Sequence, residues 1–180
     1  MTTILEKDKD KEKEMQQNVI TYRGTVYPWQ CDHMGHMNVM WYVGKFDEAS
    51  WQLLHTLGLT SSRMKAEGIV MAAVEQHLQY KRELRAGDVI TIRSSILEVK
   101  DKSIRMAHEM RNDETDEIVA TTVTVGLHVD AKLRKACSLP SDVRARALSK
   151  REPERGADHS DSSDVVQLLV DGACGASSSQ

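Results

Sequence analysis

Cys31-Asp32-His33-Met34-Gly35-His36-Met37-Asn38, continuing as Val39-Met40-Trp41-Tyr42-Val43-Gly44-Lys45-Phe46-Asp47-Glu48-Ala49-Ser50-Trp51, is the stretch from which the rest of this chain can be read. Val39, Val43, Phe46, Ser50, Leu53, Leu54 and Leu57 recur at helical spacing, which predicts an amphipathic helix with these residues inward, ending near Gly58. Ahead of it, one carboxylate, two imidazoles, a thiol and an amide crowd into eight residues. A dense polar turn that opens a buried helix reads as a site.

The first amides of a helix have no partners inside the helix, so they can hold a carbonyl oxygen that gains negative charge. Asn38 is the candidate N-cap, and Gly35 lets the backbone take a left-handed or tightly apposed conformation just before it. Asp32 lies six residues before Asn38, near enough for its carboxylate to face a carbonyl held at the helix start. One turn then offers both halves of acyl-transfer chemistry.

Outward from the helix, Thr21 to Tyr27 alternates in β-prone residues and stops at Pro28, which predicts a first strand. Leu59 to Glu67 reads as a short helical connector closed by Gly68. Ile69 to Lys81 alternates, with Val70, Ala72, Val74, Gln76, Leu78 and Tyr80 on one face and Met71, Ala73, Glu75, His77 and Gln79 on the other. Val89 to Val99, Ser103 to Arg111 and Glu117 to Val129 follow as further strands, separated by polar turns at Gly87-Asp88, Asp101-Lys102 and Asn112 to Asp116. The expected class is α+β, a five-stranded antiparallel sheet curled around one long central helix. Asp142 to Leu148 suggests one last helical turn.

The chain has 180 residues, enough for one domain with a proper core. Residues 19–148 are the expected domain. Residues 1–18 hold nine consecutive charges of alternating sign, Glu6 to Glu14, and read as a solvated arm; residues 149–180 are dominated by Gly, Ala, Ser and charge and read as a tail. Within that tail only Val165 to Val170 could fold locally, and both ends are expected to be dispensable for stability. A net charge of -3 gives no global drive toward nucleic acid or anionic membrane. Cys31, Cys137 and Cys174 are odd in number without a CxxC pair, which suits free thiols in a reducing compartment. No apolar run reaches membrane-span length and no signal-peptide core is seen, so a cytoplasmic protein is expected.

The order Asp-x-x-Gly-His-Met-Asn from Asp32 to Asn38, then Tyr42, then Phe46-Asp47-Glu48-Ala49, resembles the signature of hotdog-fold acyl-CoA thioesterases of the 4-hydroxybenzoyl-CoA thioesterase type. The resemblance extends over roughly residues 20 to 146, with a weaker match at Tyr80, Arg82 and Gly87-Asp88. It implies that Asp32 is the catalytic carboxylate and that the amide of Val39, or a neighbour, polarises the thioester carbonyl. It also implies a hotdog fold, an acyl-CoA substrate, no cofactor, and a homodimer or dimer of dimers with the site at the interface. Gln30, where many members have a second acid, and Asn38-Val39, in place of a frequent Asn-Asn pair, depart from the pattern. Within the family the stretch Cys31 to Val39 is most similar to thioesterases of carnitine breakdown, which implies betainyl-CoA as substrate.

Each residue also has a plainer role. Asp beside Gly is commonly a turn residue, and the coincident Gly-His-x-Asn and helix pattern is what favours catalysis for Asp32. His36 could orient the acyl group or the attacking water, or hydrogen-bond within the turn. Asn38 favours the cap; Glu48 could assist water or simply be solvated. Seven of the eight aromatics fall between Tyr22 and Trp51. Tyr27, Trp29, Trp41 and Tyr42 flank Asp32 and could receive a trimethylammonium group by cation–π attraction, or could be core packing. Cys31-x-His33-x-x-His36 carries zinc-type ligands, but no second ligand pair accompanies it, so no metal is expected. A Cys31 nucleophile would need an unusual turn to reach either histidine. Arg82, Arg85, Arg93 and Arg105 are candidates to meet CoA phosphates. Two classes of function remain open on these residues: an acyl-CoA thioesterase, and a non-catalytic acyl-CoA or acyl-carrier binding module.

Overall fold

Asn38 is extended, and its side-chain oxygen accepts from the Met40 amide at 3.1 Å, so it caps a helix, α1, over Val39–Thr56. The other end is closed by backbone. Gly58 takes φ 88°, its amide donates to His55 O at 2.9 Å, and the Leu59 amide donates to Leu54 O at 3.2 Å. This is a Schellman closure, and Leu59 and Leu54 meet in the same apolar cluster. The positive φ is what favours glycine at position 58; a Cβ there would also displace the guanidinium of Arg146.

A computed structural model describes residues 18–151; the expected arm before residue 18 and the tail beyond residue 151, including Val165 to Val170, lie outside the described residues. The elements are β1 (Val19–Thr25), a 3-10 turn (Pro28–Gln30), α1, α2 (Ser61–Glu67), β2 (Ile69–Tyr80), β3 (Val89–Val99), β4 (Ser103–Asn112), β5 (Ile118–Asp130) and α3 (Ser141–Ser149). The strands form one antiparallel sheet in the order β1-β3-β4-β5-β2, and α1 packs on β1, β3 and β4. This is the α+β hotdog arrangement expected above. No helix among the described residues is long and apolar enough to cross a membrane.

The expected inward face holds at Phe46, Leu53, Leu54 and Leu57, all buried, and differs in the first turns of the helix. Tyr42, Lys45, Phe46, Ala49, Leu53 and Leu54 are buried, whereas Val39 and Val43 are 56% and 40% exposed. Two neighbouring stripes share Phe46 and satisfy the 3.6-residue period, and the sheet takes the one that adds Tyr42, Lys45 and Ala49 rather than Val39 and Val43. Lys45 can be buried because its ammonium donates to Tyr22 Oη at 2.9 Å and lies 5.0 Å from that ring's centroid.

The core is two apolar clusters with a polar layer between them. Leu53, Leu54, Leu57, Ile96, Ile104 and Met106 pack under α3, while Tyr42, Phe46, Ile90, Ile92 and Met110 pack near the helix start. Between Met106 and Met110 on β4 stands His108, and between Ile92 and Ile96 on β3 stands Ser94. Ser50 Oγ donates to Phe46 O at 2.9 Å, so it accepts from His108 Nε2 at 3.0 Å. His108 Nδ1 is then the acceptor from Ser94 at 2.6 Å, and Ser94 in turn meets Thr21 Oγ1 at 2.6 Å. The chain crosses β1, β3, β4 and α1 with every member satisfied.

At the far end, Arg63 grips Asp142 through both terminal nitrogens at 2.8 and 2.9 Å, and Arg146 reaches Leu57 O at 3.1 Å. The hydrogen bonds from Arg63 hold the Asp142 carboxyl down to about 2. These contacts tie α3 to the end of α1, and Arg151 just beyond α3 forms a bridge with Ile96.

Burial pushes His108 down to about 4, against the ordinary 6.5. Between those values the unfolded chain takes a proton that the folded chain refuses. Stability is therefore full above about pH 6.5 and falls by up to about 3 kcal/mol as the pH drops toward 4. Asp142 acts only below that window. Urea unfolding between pH 7.5 and 4.5 should lose stability more steeply in the wild type than in His108→Gln, and parallel curves would assign the acid sensitivity elsewhere.

Candidate active site

The polar turn is a small antiparallel ladder. Asn38 N donates to Gln30 O at 2.9 Å, Cys31 bridges Met37, and Asp32 N donates to His36 O at 3.0 Å. Gly35 closes the loop at φ 80°, its amide donating to Asp32 O at 3.0 Å. Asp32 Oδ1 accepts from the Met34 amide at 2.9 Å. The turn role of Asp32 thus occupies one carboxylate oxygen, which braces the loop, and the second is left for another partner.

Asp32 and Asn38 stand two rungs apart on this ladder, a strand rise of about 7 Å. At the helix start, Asn38 Oδ1 takes the Met40 amide and Asn38 O takes the Trp41 amide at 2.9 Å. Among the described residues the Val39 amide has no acceptor. Its side chain is exposed, so the position offers backbone rather than packing.

The ladder is anchored from outside. Met37 N donates at 2.7 Å to Leu84 O, both side chains being buried. His36 turns outward from the loop, and its Nε2 meets Glu83 Oε2 at 3.0 Å. Neither Glu83 nor Leu84 was singled out by sequence reasoning. They sit in the connector between β2 and β3, and only the flanking Tyr80, Arg82 and Gly87-Asp88 carried any signal.

The four aromatics do not form one cage. Tyr27 and Trp29 stack on each other at 4.4 Å and 6°, with Trp29 68% exposed. Tyr42 is buried, edge-on to Tyr80 at 5.2 Å, donating to Arg82 O at 3.4 Å; burial pushes its hydroxyl up to about 12. Trp41 packs against the core cluster at the helix start. Glu48 is exposed on α1. Cys31 Sγ approaches Tyr27 O at 3.9 Å and touches neither histidine, and among the described residues no three His, Cys, Asp or Glu side chains converge as a metal set. Arg82 is used at Lys81 O and near Glu117 at 3.6 Å, and Arg105 lines an outer-face groove with Glu75, Glu98 and Lys100.

The thioesterase-like superfamily model matches residues 26–147, more than half of the chain and all of the site just described. The chain belongs to the thioesterase-like superfamily. It is 32% identical over 109 residues to the L-carnitine dehydrogenase/betainyl-CoA thioesterase of Agrobacterium fabrum, covering 61% of this chain but spanning only 22% of that protein. To the betainyl-CoA thioesterase of Pseudomonas aeruginosa it is 26% identical over 141 residues, covering 78% of this chain and 89% of that one. The Staphylococcus aureus protein SAV2348, solved in complex with CoA, superposes with TM-score 0.71 at 16% identity, over 78% of this chain and 91% of the other. That last likeness is one of fold.

In this thioesterase-like domain the cap is a separable contribution. Asn38→Ala should cost about 1 kcal/mol of unfolding free energy and Asn38→Asp little. Urea midpoints that do not separate the two variants would remove Asn38 from the forces that define the helix start.

Proposed function

We propose that this chain hydrolyses acyl-CoA thioesters at the turn before α1. The observation that carries this reading is the ladder, which sets Asn38 two rungs from an Asp32 carboxylate with one oxygen to spare, the unpartnered Val39 amide following directly. The thioester oxygen is received by the Val39 amide, with the helix dipole favouring the charge that develops there. Asp32 either takes a proton from water, whose oxygen attacks the carbonyl carbon, or attacks that carbon itself and is released by water. In both routes the C–S bond breaks, CoA leaves as the thiolate and takes a proton, and the acyl group ends as the free acid. Gly35 and Asn38 set the backbone against which the acyl group would lie, and Glu48 lies about 2.5 turns beyond Val39 on the exposed side of α1.

The acyl group we propose is betainyl, supported by the names of the relatives above. The stacked Tyr27 and Trp29 offer outer ring faces to a trimethylammonium group, and a well-placed ring contributes about 0.5 to 2 kcal/mol. Tyr42 belongs to the core with Trp41 packed against it, so the two do not complete a box of facing rings.

The working unit we propose is a homodimer, or a dimer of dimers. On the edge strand β2, residues Ala73 to His77 are all exposed, with a bulge between Ala73 and Glu75. A long unpaired edge of this kind is a ready template for a second copy. Glu75 and His77 share the outer face with Val125 and Val123, while Leu78 packs toward the helix-side core. On this arrangement Gln76, which alternates with Glu75 and His77, is the better candidate to approach a partner's turn.

Asp32→Asn should keep the melting temperature and lose on the order of 100-fold or more in turnover. The assay is thiol release from betainyl-CoA, its uncharged isostere and benzoyl-CoA. Wild-type turnover in the variant would remove Asp32 from the chemistry, and binding of CoA esters without thiol release would point to the binding module. Equal or lower specificity for the cationic ester would leave the betainyl assignment without support.

Light scattering at micromolar concentration should give at least twice the chain mass. A monomer with full activity would overturn the shared-interface arrangement.

A further inference from the structure

Resting on the thioesterase reading, we propose that Glu83 is a positioning residue for hydrolysis: through His36 it holds the loop that carries Asp32. The connector between β2 and β3 is unusually well fastened. Lys81 N and Arg82 N both donate to Val119 O, at 2.8 and 3.1 Å, and Val26 N donates to Asp88 O at 2.8 Å. Leu84 is fully buried and receives the Met37 amide. Glu83 therefore stands on a fixed base, between residues tied to β5 on one side and to the segment after β1 on the other.

The loop it meets has the opposite character. His33, Met34 and Gly35 are exposed, and the loop is held by its own ladder and the Asp32–Met34 contact. Met37 beside it packs into the core and donates its amide to Leu84 O, and for Asp32 to His36 the one side-chain hydrogen bond to a residue outside the turn, among the described residues, is His36 Nε2 to Glu83 Oε2 at 3.0 Å. His36 O in turn accepts the Asp32 amide. The path is short: fixed connector, Glu83 carboxylate, His36 ring, His36 carbonyl, Asp32.

The carboxylate can only accept, so the hydrogen of a neutral His36 must sit on Nε2, which defines the tautomer as well as the position of the ring. Nδ1 has no protein partner among the described residues. His36 then serves as a brace rather than as a proton-transfer group, and Glu83 selects its tautomer. The pair is partly exposed, 23% for His36 and 62% for Glu83, so it adds little to global stability. Its effect falls on geometry, where a displacement of about 1 Å at the reacting groups can cost up to 100-fold in rate.

The test compares Glu83→Gln, Glu83→Asp, His36→Gln and the double variant Glu83→Gln/His36→Gln in the full chain. Thiol release from betainyl-CoA gives kcat and KM, and thermal unfolding is followed in parallel. Glu83→Gln should lower kcat by about tenfold with KM and melting temperature nearly unchanged, and Glu83→Asp should recover part of the loss. The double variant should be no slower than His36→Gln alone, since the two act as one unit. Unchanged kcat in Glu83→Gln, or multiplicative losses in the double variant, would overturn the proposal. Nitrogen NMR of the His36 ring and hydrogen exchange of the Asp32 amide read the same brace without catalysis. Glu83→Gln should weaken the Nε2–H signature and speed exchange at Asp32. If the wild type cleaves no CoA ester, the functional reading falls while these spectra still decide the brace; if it cleaves them and the spectra do not change, the brace alone falls.

Discussion

The hydrogen bond from the Met37 amide to the Leu84 carbonyl, 2.7 Å between two buried residues, determines where α1 begins. It fastens the end of the polar ladder to a connector that is itself bound to β5 and to the chain after β1. With that point held, Asn38 falls opposite Gln30 and caps the helix, and the amide of Val39 is the first left over. Moving the junction by one residue would turn every helical side chain by about 100° and take the Phe46 stripe out of the core. The helix start is therefore a packing decision as much as a local one.

The core shows a second constraint. His108, Ser94, Thr21 and Ser50 form a satisfied polar layer between two apolar clusters. Every hydroxyl and both ring nitrogens have a partner, so the layer gives β1, β3, β4 and α1 a single register, because a slip would leave buried polar atoms unpaired. It does so at the expense of acid tolerance, since the layer has room for only one imidazole proton.

The surface is less settled than the interior. Trp29, Met34, Val39, Met40 and Val43 are all exposed near the helix start, and β2 leaves its middle unpaired at the sheet edge. Such features on one molecule are what a second copy or a bound acyl-CoA would cover.

Much of this was legible in the sequence because it is local. The helix, its Asn38 cap, its stop at Gly58, the turn at Gly35 and the alternating strands follow from short-range spacing and backbone chemistry. Strand ends shifted by only a few residues, as when β1 begins at Val19 rather than Thr21. What needed the tertiary structure was every choice between locally equivalent options. Two helix stripes fit the period, and only the sheet selected Tyr42 and Lys45 over Val39 and Val43. The four aromatics near Asp32 were alike in sequence, yet stacking separated Tyr27 and Trp29 from the buried Tyr42. Glu83 and Leu84 gave no signal, because their partners in the turn are distant along the chain and meet only after β2 has paired with β5. Local geometry wrote the turn and the helix; long-range closure decided what holds them together.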